Sequence, residues 1–128
     1  MSIFDKLFGG EKPTQMPDVY WNYLEDIAEL DAIEKESYEK PVAIFKHSIT
    51  CGISKMAWNQ FQKSYNISTD QLSLYYLDLL AHRSISNEIA SRFEVLHQSP
   101  QLIVLKDGKA VYNASHENID AKDLERFI

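Results

Sequence analysis

The run Val42-Ala43-Ile44-Phe45 sets four apolar residues side by side with no polar residue among them. A strand with one face in water alternates apolar and polar residues, so an unbroken run describes a strand buried on both faces, as in a sheet covered by helices on each side. That points to an α/β architecture, and the flanking segments agree. Upstream, Tyr20 to Leu24 is short and aromatic enough for an edge strand. Leu24, Ile27, Leu30 and Ile33 then recur at every third position, with Asp26 and Glu29 at capping-box spacing. This predicts a helix that ends before Pro41, because the residue preceding proline disfavours the helical region. Lys46-His47-Ser48 reads as the polar exit from the buried strand.

Downstream, Ile53, Ala57, Phe61 and Tyr65 recur every four residues, which predicts a helix beginning at or beside Cys51. Thr50 is its expected N-cap, and Met56 and Trp58 read as core. Leu72 to Leu80 is apolar and aromatic and reads as a second buried strand. Ile85, Ile89, Ala90 and Phe93 mark a third helix, with Ser84 or Ser86 as cap. Leu102 to Leu105, then Lys106-Asp107-Gly108-Lys109, then Ala110 to Tyr112 describe an antiparallel hairpin, since Asp-Gly suits a turn whose two central residues need positive φ. A short amphipathic helix from Asp120 closes the chain. Alternating strands and helices require parallel crossovers, and the hairpin adds two antiparallel strands. The expected fold is a central mixed β-sheet flanked by helices, with a C-terminal β-hairpin and helix.

A chain of 128 residues suits one such domain. Residues 1–17 read as an N-terminal arm and linker, because Ile3, Phe4, Leu7 and Phe8 precede Gly9-Gly10-Glu11-Lys12-Pro13; residues 18–128 form the domain. Thirteen Lys and Arg against nineteen Asp and Glu is the wrong balance for a phosphate backbone, so nucleic acid is not an expected partner. No transmembrane segment is expected, and the first ten residues lack the basic start and continuous apolar run of a secretory signal. With one cysteine there is no internal disulfide, and a reducing cytoplasm is the expected setting. The four histidines, His47, His82, His97 and His116, show no metal-ligand spacing, and no metal site is expected.

In an open α/β sheet, chemistry gathers where strands end and helices begin, and Cys51 stands at such a point. The unpaired amides and the dipole of a helix N-terminus favour thiolate over thiol there. Lys46 and His47 would add to the effect if they face the thiol. The competing reading is a buried cysteine acting as a small hydrophobe. Gly52 lets a bulky partner approach. Ser54, one helical turn after the cysteine, holds an oxygen where a Cys-x-x-Cys site holds its second sulfur.

The string Phe45-Lys46-His47-Ser48-Ile49-Thr50-Cys51-Gly52-Ile53-Ser54, with Ala57 and Phe61, resembles the active-site segment of the monothiol bacilliredoxins, thioredoxin-like proteins of the bacillithiol redox system. Ile89-Ala90, His97-Gln98-Ser99-Pro100-Gln101 and Ser115-His116 with Ile119 extend the likeness, which runs from Trp21 to the C-terminus. The resemblance implies a thioredoxin-like fold, Cys51 as nucleophile, and Pro100 as a cis-proline facing it. It implies bacillithiol as a thiol co-substrate with no permanently bound cofactor, and client proteins carrying mixed disulfides as partners. Thr50, Gly52, Ser54, Ser99 and Pro100 are the candidates for ligand contact. Members of the family usually carry proline after the cysteine, where this chain has Gly52. Cys-Gly-Ile-Ser is then close to the Cys-Gly-Phe-Ser of monothiol glutaredoxins, which bridge an iron–sulfur cluster using glutathione, although the paired glycines that hold glutathione there are missing after this hairpin. An iron–sulfur carrier and a non-catalytic binding module therefore stand as alternatives.

Overall fold

The computed structural model describes residues 19–128, so the arm and linker read at 1–17 lie outside the described residues. In chain order the elements are β1 (Asn22–Tyr23), α1 (Glu29–Glu36), β2 (Val42–His47), α2 (Gly52–Ser64), β3 (Ser73–Asp78), α3 (Arg83–Arg92), β4 (Gln101–Lys106) and β5 (Lys109–Ser115). Two 3-10 segments follow, His116–Asn118 and Ala121–Phe127. The five strands form one sheet in the order β1-β3-β2-β4-β5. The pairs β1/β3 and β2/β3 are parallel, while β2/β4 and β4/β5 are antiparallel.

Every residue of β2 is buried. Ala43 and Phe45 point to one side, into a core with Trp58, Phe61 and Leu124. Val42 and Ile44 point to the other, into a core with Leu30, Ile33, Ile85 and Ile89. The absence of alternation in the sequence thus has its physical cause: α2 covers one face, α1 and α3 the other.

Several boundaries move. Strand β2 does not stop at Phe45 but runs on through Lys46 and His47, both fully inside. The expected edge strand contracts to two paired residues, and α1 starts at Glu29 rather than after Asp26. The capping-box side chains explain the delay. Glu29 accepts from the amides of Glu25 and Asp26, and Asp26 accepts from Ala28, so side chains take these donors before the helix does. The cap of α3 is His82, not Ser84 or Ser86.

Helix α2 is rotated from its expected stripe. It buries Ser54, Trp58, Phe61 and Gln62, whereas Ile53 and Met56 are more than 60% exposed. Polar residues can occupy the inner face because distant partners satisfy them: Gln62 Oε1 accepts from Trp21 Nε1 at 3.1 Å. The expected hairpin is present, with φ of 54° at Asp107 and 76° at Gly108. Its turn docks on the segment after α1, where the amides of Asp107 and Gly108 donate to the carbonyl and hydroxyl of Ser37, each at 2.8 Å.

Candidate functional site

Parallel β2 and β3 end, and antiparallel β4 begins, at the same edge of the sheet. That edge gathers the loop after β2, the start of α2 and the turn before β4. Cys51 is itself the cap residue of α2, with extended backbone (φ −100°, ψ 123°) and no side-chain cap bond. Its amide donates to Ser48 O at 3.1 Å and its carbonyl accepts from Lys55 N at 3.0 Å, which fixes the loop on both sides of the thiol. The thiol is half-buried.

Thr50, expected to cap, is exposed instead, with its hydroxyl 3.4 Å from that of Ser48. Gly52 is exposed, and a β-carbon there would meet nothing within 4 Å. Space beside the thiol is therefore open on the solvent side. Ser54 turns inward from the first turn of α2 and is fully buried. Its hydroxyl oxygen accepts from the Ser48 amide at 3.0 Å and lies 2.5 Å from His47 Nδ1. The Ser54 hydroxyl thus accepts from the Ser48 amide and shares a second hydrogen bond with His47 Nδ1. Ser54 thus acts as a bracket that ties the end of β2 and the loop to the first turn of α2.

His47 is sandwiched among aromatic rings, parallel to Trp58 at 5.2 Å and edge-on to Phe45 at 6.3 Å. Burial pushes its pKa down to about 4, Lys55 adding to the effect and Asp78 opposing it. Lys46 points to the other face of the sheet, where burial lowers it to about 8 and its ammonium meets His97 Nδ1 at 3.2 Å. Neither residue adds its charge beside Cys51 as the sequence suggested: the Lys46 ammonium is engaged with His97 on the other face, and burial keeps the His47 imidazole, bonded to Ser54 through Nδ1, from carrying charge.

The Ser99–Pro100 peptide bond is cis. Pro100 is buried and Ser99 half-buried, and the Pro100 carbonyl accepts from His116 N at 3.2 Å. Gln101 pairs with Ser115 across β4/β5, so Ser115 and His116 belong to the same edge. Sequence reasoning missed the inward roles of Lys46, His47 and Gln101. Polar side chains at strand ends carry no periodic signal that separates a loop exit from a buried anchor.

No described helix is long and apolar enough to cross a membrane. Among the described residues, no group of three His, Cys, Asp or Glu is placed to hold a metal ion.

Comparison with solved structures gives a thioredoxin fold. A protein assigned as an oxidoreductase with a thioredoxin fold matches with a TM-score of 0.70 and 32% identity, over 83% of this chain and 91% of its own. Thioredoxin from Malassezia sympodialis matches at 0.65 and 17% identity, over 91% and 93% of the two chains. A thioredoxin variant from Halobacterium salinarum matches at 0.61 and 20%, with the same coverage. The family model for the monothiol bacilliredoxin BrxC matches residues 22–124, which span every strand and α-helix described above. A thioredoxin-fold thiol redox protein with one half-exposed cysteine at a helix start, this chain belongs to the monothiol bacilliredoxin family.

Proposed function

We propose that the protein removes bacillithiol from mixed disulfides on client proteins, with Cys51 as the nucleophile. The observation that carries this reading is the placement of the only sulfur-bearing cysteine at the open edge, with an oxygen, Ser54, bonded inward where a second sulfur would stand. The Cys51 thiolate attacks the bacillithiol sulfur of the mixed disulfide. That bond breaks, the client leaves as a thiolate and takes up a proton, and a Cys51–bacillithiol disulfide forms. A second bacillithiol thiolate attacks this disulfide, restores the Cys51 thiolate and leaves as the symmetrical disulfide. Each cycle consumes one free bacillithiol and converts one mixed disulfide into one client thiol and one symmetrical disulfide.

Thr50, Gly52, Ser99 and Pro100 form the contact surface for the small thiol in this reading, with room above Gly52 for its bulk. Ser54 supports that surface from beneath. The cycle needs a pool of reduced thiol, as a reducing cytoplasm provides.

The experiment uses a model protein carrying a bacillithiol mixed disulfide, with release of its thiol followed over time and Cys51 examined by mass spectrometry. The reading expects release by the wild type, an adduct on Cys51 when free bacillithiol is withheld, and neither with Cys51→Ser. Release that survives Cys51→Ser would refute it. Binding of clients without any adduct would make the protein a thioredoxin-fold binding module.

A further inference from the structure

Lys46 is fully buried on the α1/α3 face of the sheet, in line with Val42 and Ile44. Among the described residues no carboxylate pairs with it; all ion pairs found there involve Arg92. Its ammonium instead meets His97 Nδ1 at 3.2 Å, and Ser86 Oγ lies 3.3 Å from the same nitrogen. Burying a lysine without a counter-ion is costly, so this single neutral acceptor matters to it.

The contact reaches the segment that leads into the Ser99–Pro100 turn, two residues before Ser99, where His97 itself is exposed. Lys46 stands opposite Gln101 in the β2/β4 register. Gln101, also fully buried, holds the same turn by its backbone: Nε2 donates to Leu96 O at 3.0 Å, and Oε1 accepts from Gln98 N at 3.2 Å. His97 sits between these two anchor points. The segment leading into the turn is therefore held twice, by Gln101 through its main chain and by Lys46 through a side chain.

We propose that Lys46 and His97 are positioning residues for the Ser99–Pro100 turn, and that they hold it only while one of the two is uncharged. This rests on the reading above, in which that turn contacts the small thiol. The chemistry of the contact imposes the condition. An ammonium can donate to a neutral imidazole, and an imidazolium can donate to a neutral amine, but two cations have no acceptor between them and repel. The groups that face His97 are Lys46 from β2 and Arg83 and Ser86 from α3; Gln101 of β4 is polar and does not titrate. Burial, Lys46 and Arg83 all hold His97 below its ordinary range. Acid that nevertheless protonates it breaks the contact and frees the turn.

The test measures kcat and KM for the bacillithiol mixed disulfide across the range from about pH 5 to about pH 8, around the histidine range. Cys51 alkylation by iodoacetamide reports the thiol itself. His97→Leu and Lys46→Met are expected to raise KM about fivefold while alkylation stays within about twofold, the effect of one lost polar contact. His97→Gln offers an amide oxygen to Lys46 and cannot titrate. It is expected to keep the wild-type KM near neutrality and to lose the rise in KM that the wild type shows in acid. Unchanged KM in both His97→Leu and Lys46→Met, or an acid rise retained in His97→Gln, would overturn the proposal. A second readout needs no turnover: by NMR, the His97 titration is expected to move up toward its ordinary range in Lys46→Met, and no movement would refute the pair. If wild-type protein releases no client thiol, the functional reading fails and with it the positioning role, while the NMR titration still decides the pair.

Discussion

His47 makes acid the most informative perturbation of this fold. His47 is 1% exposed, shares a hydrogen bond between Nδ1 and the Ser54 hydroxyl, and has its pKa pushed from the ordinary 6.5 to about 4, chiefly by burial. A base with a depressed folded pKa binds its proton more readily when unfolded, so the unfolded state gains protons in the window between the two values and stability rises with pH there. The His47 contribution is fully present above about pH 6.5 and is lost as pH falls through about 4. At 1.36 kcal/mol per pKa unit the ceiling is about 3 kcal/mol, of which about 2 kcal/mol is gone by about pH 4.5. Other groups titrate in the same range, so the comparison needs a variant that does not. His47→Asn keeps a hydrogen-bonding side chain beside Ser54 and removes the titration. Urea unfolding followed by tryptophan fluorescence suits the measurement, because Trp58 stacks on both His47 and Trp21. The expectation is that His47→Asn is less stable than wild type at neutral pH and loses about 2 kcal/mol less between neutrality and about pH 4.5. Parallel pH dependences for the two proteins would refute a neutral buried His47.

Three further substitutions follow from the geometry. Ser54→Cys places a sulfur one helical turn from Cys51; oxidised protein is expected to be lighter by about 2 Da as an internal disulfide forms, so that resolution no longer needs a second small thiol. A stable small-thiol adduct on Cys51 in that variant would refute the expectation. Gly52→Pro puts proline at the first residue of α2, where the ring fixes a helical φ and nothing lies within 4 Å of an added β-carbon. A gain of about 0.5 to 1 kcal/mol in urea unfolding is expected, through the unfolded state. Gly108→Ala forces a β-carbon to within 2.5 Å of Tyr38 Oη at a φ of 76°, and a loss of about 1 to 2 kcal/mol is expected. Pairing it with Tyr38→Ala should return only the steric part of that loss.

The features legible in the sequence are those whose cause is local or repeats along the chain. Val42 to Phe45 announced a doubly covered strand because each successive side chain enters a core, whichever face it points to. Asp107-Gly108 announced its turn because positive φ at two successive residues is a local demand that few residue pairs meet. Cys51 was legible by position, since the end of a parallel strand and the start of a helix are readable from the same two patterns. Asp26 and Glu29 were half legible: their spacing gave the right hydrogen-bonding habit, but the bonds formed ahead of the helix.

Lys46 and His47 were misread for a shared reason. Binary patterning assigns polar residues to the surface, and that assignment fails where a polar atom finds its partner far away in the chain. The partner of Lys46 is 51 residues on, and His47 meets Ser54 only because α2 folds back over the end of β2. The same inward turn rotates α2 away from its apolar stripe, exposing Ile53 and Met56 while burying Ser54 and Gln62. The departures from pattern therefore gather at the edge of the sheet that holds the thiol. A chain that kept Lys46 and His47 outside would satisfy the pattern better, but would lose the two anchors beneath the Cys51 loop and the Pro100 turn. Burying His47 costs stability as pH falls, which its acid titration measures, while from the opposite face of the same strand the His97 variants measure what the Lys46 contact does for the Pro100 turn.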